Sequence, residues 1–138
     1  MADECPHRKE SRFRLLFLGN DLDLIAVLGK ALAEADYRLV SCSDRESAIM
    51  FIKSDIPYNL LLLDLEWQGA EGLKMAELAR SLRHRKRMPI ILVAASGLNS
   101  QLQTLADAAG VKQCVTKTPV KAISEAIRQW VEKPRRKK

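Results

Sequence analysis

The chain has 138 residues, 47% of them apolar and 29% charged, with 23 Lys and Arg against 17 Asp and Glu for a formal net charge of +6. That is the composition and length of one ordinary globular domain, able to bury about two thirds of the surface it exposes when unfolded. A helical membrane protein is excluded, because no apolar run approaches the roughly 18 residues a spanning helix needs. So are a disulfide framework and a zinc module, because Cys5, Cys42 and Cys114 are an odd set without metal-ligand spacing.

The charge is uneven. Residues 15–130 hold 14 basic and 13 acidic groups, whereas "VEKPRRKK" (131–138) carries five Lys or Arg and one Glu. The basicity therefore belongs largely to the C-terminal tail, which is expected to be solvated. The best candidate for a secretory signal, "RFRLLFLGNDLDL" (12–24), has an apolar core that breaks after Leu18 at Gly19-Asn20-Asp21, so a cytoplasmic protein is expected. His7 and His84 sit in charged segments and are expected to face water.

Short apolar runs and amphipathic runs alternate along the chain. "RLLFL" (14–18) ends in the breaker Gly19-Asn20, and "DLDLIAVLGKALAEA" follows with Leu24, Val27, Leu28, Ala31 and Leu32 on one helical stripe. "YRLVSC" (37–42) reads as a strand, and "SDRESAIMFIKS" opens with Ser43 and Glu46 at capping-box spacing. "LLLLD" (60–64) is the continuous apolar run of a parallel strand covered on both faces. "EGLKMAELARSLRH" predicts a helix with Leu73, Ala76, Leu78 and Leu82 inward, and "PIILVAA" (89–95) a strand entered by proline. "LNSQLQTLADAAG" predicts a helix with Leu98, Leu102 and Leu105 as its stripe and Gly110 as its stop. After the short strand "QCVT" (113–116), "TPVKAISEAIRQWV" predicts a last helix capped by Thr118, with Pro119 in its first turn and Val120, Ile123, Ile127 and Trp130 inward.

Five strand–helix pairs with short connections predict an α/β domain, a flavodoxin-like (βα)5 three-layer sandwich whose parallel sheet has the order 2-1-3-4-5. Residues 13–131 form that domain, between a flexible N-terminal tail (1–12) and a basic C-terminal tail (132–138). In such sheets ligands sit beyond the carboxyl ends of the strands, where strand order reverses. Asp64 ends the third strand, Gly19, Asn20 and Asp21 follow the first, Ala94 ends the fourth and Lys117 follows the fifth, so all six are delivered to one pocket. Lys117 beside Asp64 would hold the carboxylate's charge, Asp21 stands where a residue caps the first helix, and Trp67 is expected to roof the pocket.

On "NLLLLDLEWQGAEGL" (59–73), with its aspartate and the following Glu71-Gly72, on "MPIILVAA" (88–95) and on "AAGVKQCVTKTP" (108–119), the chain resembles the receiver domain of two-component response regulators. The likeness spans residues 13 to about 131. It implies that Asp64 is a phosphoacceptor, that Lys117 contacts the phosphoryl group, and that the backbone carbonyl of Glu66 is a ligand of a magnesium ion. The departures are as specific. The family's acidic pair after the first strand falls on Gly19 and Asn20, with Asp21 one step later. Its hydroxyl at the end of the fourth strand is Ala94, and its aromatic switch position is Cys114. Gln68 and Thr118 stand where prolines are usual.

Phosphoryl transfer to a carboxylate depends on positioning and on neutralising charge over the phosphoryl oxygens, and magnesium is held best by two or three protein oxygens. Here Gly19 offers none and Asn20 only a neutral one, so Asn20, Asp21, Asp64 and the Glu66 carbonyl would hold the ion weakly or not at all. Ala94 lacks the hydroxyl that would meet a phosphoryl oxygen, and Cys114 is too small to swing as a ring does.

A second constellation lies in "RSLRHRKR" (80–87), where Arg80, Arg83, Arg85, Lys86 and Arg87 fall at the end of the sheet opposite Asp64. With Arg12, Arg14 and the tail they predict a basic pole. No aromatic residues interleave with it and no helix-turn-helix pattern is present, so specific DNA recognition is not expected.

The resemblance implies a stand-alone module, not an enzyme, that signals by docking to a sensor histidine kinase or another signalling protein, with Asp64 as a weak phosphoacceptor. The alternative is a phosphorylation-independent scaffold whose basic pole binds an acidic partner, nucleic acid or anionic lipid. There is no Gly-rich phosphate loop, Ser/His/Asp set or CxxC to support catalysis. The family's usual meeting surface, from the fourth to the fifth helix, exposes only Gln101, Gln103, Lys121 and Glu125 here, so monomer and dimer both stay open.

Overall fold

A computed structural model describes residues 13–67, 72–97 and 99–132. Five strands, β1 (Phe13–Leu18), β2 (Tyr37–Cys42), β3 (Leu60–Asp64), β4 (Ile90–Ala94) and β5 (Gln113–Thr116), alternate with five helices, α1 (Leu22–Ala33), α2 (Arg45–Lys53), α3 (Leu73–Ser81), α4 (Ser100–Ala108) and α5 (Val120–Val131). The strands form one all-parallel sheet in the order β2-β1-β3-β4-β5, as the alternation predicts.

Side-chain parity along the central strands builds the three layers. Leu15, Phe17, Leu60, Leu62, Ile91 and Val93 face α1 and α5, where they meet Leu24, Leu28, Leu32, Ile123 and Ile127. Leu16, Leu18, Leu61, Leu63, Ile90 and Leu92 face the other way, onto Ala48 and Ile52 of α2, Met75, Ala76 and Ala79 of α3, and Ala106 of α4. A strand buried on both faces must be apolar at every position, which is why four consecutive leucines precede Asp64.

Several local expectations shift by a residue or a face. On α1 only Leu24, Leu28 and Leu32 are buried; Val27 and Ala31 are exposed, because the sheet takes one narrow stripe of the helix. The cap of α2 is Asp44, whose carboxylate accepts from the Ser47 N–H at 2.8 Å, rather than Ser43. Pro119 rather than Thr118 precedes the first turn of α5. On α4 the apolar stripe fails: Leu105 is half exposed, Leu102 half buried, and Ala106 carries the packing, while Leu98 lies outside the described residues. This helix is capped by Asn99 and stopped at Gly110, whose φ of 90° and flanking hydrogen bonds, Val111 N–H to Ala106 and Gly110 N–H to Asp107, form a Schellman turn. No helix of the described residues is long and apolar enough to cross a membrane. The tails at 1–12 and 133–138, with Arg12, Cys5 and His7, lie outside the described residues, as do Gln68 and Glu71.

Candidate functional site

At the carboxyl ends of β1, β3 and β5, a single cation collects three carboxylates. The Lys117 ammonium lies 3.0 Å from Asp21 Oδ2, 3.1 Å from Asp64 Oδ2 and 3.1 Å from Glu66 Oε1. Each is put there by backbone. The Lys117 N–H donates to the Ala94 carbonyl at 2.8 Å and so continues the sheet one residue past β5. Asp64 shares the parity of Leu60 and Leu62, on the α1–α5 side of β3. Asp21 begins α1, and its other oxygen accepts from the Leu24 N–H at 3.1 Å. The sequence offered Asp21 as a helix cap; it is that cap and a member of the cluster as well.

Asp64 is 1% exposed, and its second oxygen accepts from the Glu66 N–H at 3.0 Å. Burial lifts its carboxyl above the ordinary Asp range, although the hydrogen bonds from Lys117 and Glu66 pull the other way. For Lys117, burial works toward neutrality, but the hydrogen bonds to Asp21, Asp64 and Glu66 outweigh it and raise the ammonium above the usual lysine value. The hydrogen bond to Lys117 and the cap at Leu24 hold the Asp21 carboxyl below its usual range. Lys117 and Asp64 are the buried half of the cluster, at 15% and 1% exposure, while Asp21 and Glu66 reach solvent at 33% and 47%; the four sum to −2 when all are ionised.

Glu66 makes a contact that the sequence does not predict. Its side chain reaches the cluster, and Oε1 also accepts from the Ala95 N–H at 3.2 Å, tying the loop after β3 to the loop after β4. Nothing in the spacing marks this reach; Glu66 is only the second residue past a strand. Trp67 does not roof the pocket. It is 2% exposed in the core on the α2–α4 side, and its indole N–H donates to the Ser43 carbonyl at 2.7 Å. Ala94 is buried at the end of β4, and Cys114 is half buried against the α2–α4 core, which raises its thiol above the free value.

Gly19 has a spatial reason to be glycine. A Cβ built there would stand 2.8 Å from Asp64 Cβ and 3.1 Å from the Phe17 ring, so the acid usual at that position has no room. Asn20 is exposed and outside the cluster. As arranged, the side chains offer a magnesium ion few free oxygens. Asp21, Asp64 and Glu66 each spend one oxygen on Lys117, while the second oxygens of Asp21 and Asp64 are taken by N–H groups. Magnesium demands oxygens free to close to about 2.1 Å in octahedral array. A cleft of about 500 Å³ opens beside the cluster, with Asp23, Val27, Ala95 and Thr118 in its walls.

The five-cation pole is smaller than the sequence suggests. Arg85 is 2% exposed and donates to the carbonyls of Ile52 at 2.9 Å, Ser54 at 2.8 Å and Phe51 at 3.2 Å. Arg80 donates to the carbonyls of Lys86, Met88 and Gly110, each at 2.8 Å. Both guanidinium groups satisfy helix ends and loop carbonyls instead of facing water. Arg83, Lys86 and Arg87 are exposed, as is His84, whose Nε2 donates to the Ser54 carbonyl at 2.8 Å.

No protein-family model matches the chain, and no curated protein matches it in sequence. Solved structures match its fold. The receiver domain of the sensor histidine kinase PA1611 from Pseudomonas aeruginosa PAO1, with a magnesium ion coordinated in its active-site cleft, aligns with a TM-score of 0.74 at 18% identity, over 87% of this chain and 98% of that one. The non-phosphorylated HemR receiver domain from Leptospira biflexa gives 0.76 at 19% identity, over 92% of this chain and 100% of that one. HP1043, an orphan response regulator of Helicobacter pylori, gives 0.73 at 15% identity, over 89% and 99%. At these identities the likeness is one of fold, and the fold is that of response-regulator receiver domains.

Proposed function

We propose that this chain is a receiver-type signalling module that works by docking to a partner such as a sensor histidine kinase, with Asp64 as a weak phosphoacceptor and Lys117 as the cation that would meet the phosphoryl oxygens. One observation carries the reading: Lys117 bridges Asp21, Asp64 and Glu66 within 3.1 Å at the carboxyl ends of the strands. A phosphoacceptor in a dry site needs an adjacent fixed cation to neutralise the incoming charge, and Lys117 is placed for that. Weakness follows from the same contacts. Lys117 is shared among three carboxylates, no acid fits at Gly19, and Ala94 brings no hydroxyl, so magnesium is held only at millimolar concentration or not at all. The half-exposed Val27 lines the cleft at Lys117 and gives an approaching partner an apolar contact. The chemistry belongs to the partner; the module itself supplies no catalytic set.

The test is a titration with magnesium and beryllofluoride followed by backbone amide shifts, with Asp64→Asn as control. Saturable shifts at residues 19–21, 64–67 and 117, absent from the variant and with a midpoint at millimolar magnesium, are the expected result. Silence at that concentration would remove Asp64 from the role and leave a module that docks unmodified.

A second reading, in which the fold is a scaffold for a basic surface that works without phosphorylation, is favoured by Arg83, Lys86 and Arg87. None of the three forms an ion pair among the described residues.

A further inference from the structure

At the pole opposite Asp64, a cleft of about 560 Å³ lies between the start of β3 and the start of β4. Arg83, His84, Lys86 and Arg87 line it together with Tyr58 and Met88. No carboxylate lines it, and the chain has no Asp or Glu anywhere between Glu77 and Asp107. A concavity of this size suits a small ligand rather than a flat macromolecular contact.

The loop that carries these cations is built, not loose. Residues 83–85 form a 3-10 turn and Lys86 continues in helical conformation, so Arg83 has Lys86 and Arg87 three and four residues ahead of it on one side of a turn. Beneath them Arg85 locks the turn to the end of α2 through three carbonyls and lies 5.0 Å from the Tyr58 ring centre. Arg80 locks its far side through Lys86, Met88 and Gly110. The His84 ring is oriented by the Ser54 carbonyl. Two arginines are thus consumed in holding three other permanent cations along one cleft; Asp55 acts on Arg85 beneath them, but no carboxylate lines the cleft itself, so an anion there relieves the repulsion among the three.

The geometry points to this cleft as a binding site for a linked diphosphate, either pyrophosphate or the diphosphate of a nucleotide. Three permanent positive charges, two of them guanidinium forks, match a group that carries about three negative charges at neutral pH, whereas a single phosphate would leave the site under-neutralised. The inference rests on the second reading above, that the basic surface works on its own, and is independent of Asp64.

The experiment is amide-shift titration of the full chain at 0.15 M salt with pyrophosphate, adenosine diphosphate, adenosine monophosphate and inorganic phosphate. Pyrophosphate should give saturable shifts confined to residues 58–59 and 83–89, at least 10-fold tighter than phosphate. Adenosine diphosphate should exceed the monophosphate by a similar factor, and its affinity relative to pyrophosphate tells which source the site takes. Arg83→Gln combined with Arg87→Gln, both exposed, should abolish the shifts while leaving the unfolding midpoint in place; Asp64→Asn should leave the pyrophosphate affinity as it is. Equal affinity for phosphate and pyrophosphate would overturn the diphosphate assignment while leaving a basic surface. A short single-stranded oligonucleotide that binds the same residues more tightly than pyrophosphate would also overturn it, in favour of a nucleic-acid contact. No shift with any of these anions would overturn the diphosphate site alone, and the same titration with an acidic peptide and with anionic vesicles would then decide the scaffold reading.

Discussion

Gly19 and Asp64 illustrate how little room one atom can leave. Across β1 and β3 their neighbours Leu18 and Leu63 are paired, and the next step brings Gly19 so close to the Asp64 side chain that a Cβ would stand only 2.8 Å from Asp64 Cβ. Gly19→Asp should therefore destabilise the fold by about 2 kcal/mol through overpacking, read by urea unfolding, and not create a tighter magnesium site. A neutral substitution that gained magnesium affinity would show the pocket to be more yielding than its packing implies. Asp64 makes a second case. Its folded carboxyl is lifted by burial above the ordinary value of 3.8, so the folded chain holds that proton more strongly than the unfolded chain. Its ionisation therefore opposes folding at neutral pH, and the opposition vanishes as pH falls below 3.8. Asp64→Asn keeps the shape and leaves Lys117 its contacts with Asp21 and Glu66. Its unfolding midpoint at pH 7 should exceed the parent's by a few degrees, with the gain closing as the pH is lowered through the carboxylate range in calorimetry. A variant less stable at every pH would mean that the pair with Lys117 outweighs the burial.

At the scale of elements, the arginines of the α3–β4 connection carry more of the fold than their charge suggests. The end of α2 leaves carbonyls without helical partners, and Arg85 answers three of them from a buried position. Arg85→Met should cost about 2 kcal/mol, because the Ile52 carbonyl loses its donor while those of Phe51 and Ser54 keep Ser54 and His84. Arg85→Lys should recover only part of it, since one ammonium cannot copy the fork; denaturant midpoints of the two variants decide. The sequence could not announce this, because a run of cations looks alike whether its members face water or a carbonyl 33 residues away. The strands were legible for the opposite reason: a parallel strand covered on both faces must be apolar throughout, and turn residues punctuate each one. From them the sheet order and the placement of Asp64, Asp21 and Lys117 at one edge follow. Helix faces were less legible. On α4 the leucines that fit the period are half exposed and Ala106 packs instead, since periodicity locates a stripe without saying how closely the helix approaches the sheet. The Glu66 side chain was not legible at all, because its contacts depend on the path of two loops that no local pattern encodes.

For the molecule as a whole, one sheet separates two cores, and β3 belongs to both. Leu61 points into the α2–α4 side and Leu62 into the α1–α5 side, each fully buried. Leu61→Ala and Leu62→Ala should each cost about 3 kcal/mol. Both should lower a single transition seen alike by circular dichroism and Trp fluorescence, since Trp67 lies in one core and Trp130 packs against the other. Separate transitions for the two layers would show that the sheet does not couple them. The two ends of the same sheet differ in kind: three acids share one lysine at the carboxyl end, while at the other end the cleft between β3 and β4 is lined by cations without a carboxylate.

The two oxygens of Asp21 have different clients, the opening turn of α1 through Leu24 and the ammonium of Lys117. A group that draws Lys117 toward itself also removes one of the anchors that orient this carboxylate, and with it tension on the helix start. The start of α1 and the cluster at the ends of β3 and β5 thus share one carboxylate, and a change of partner at Lys117 would be felt first at that turn. The exposed Leu22, the first residue of that turn, stands where such a change would become visible to a neighbour.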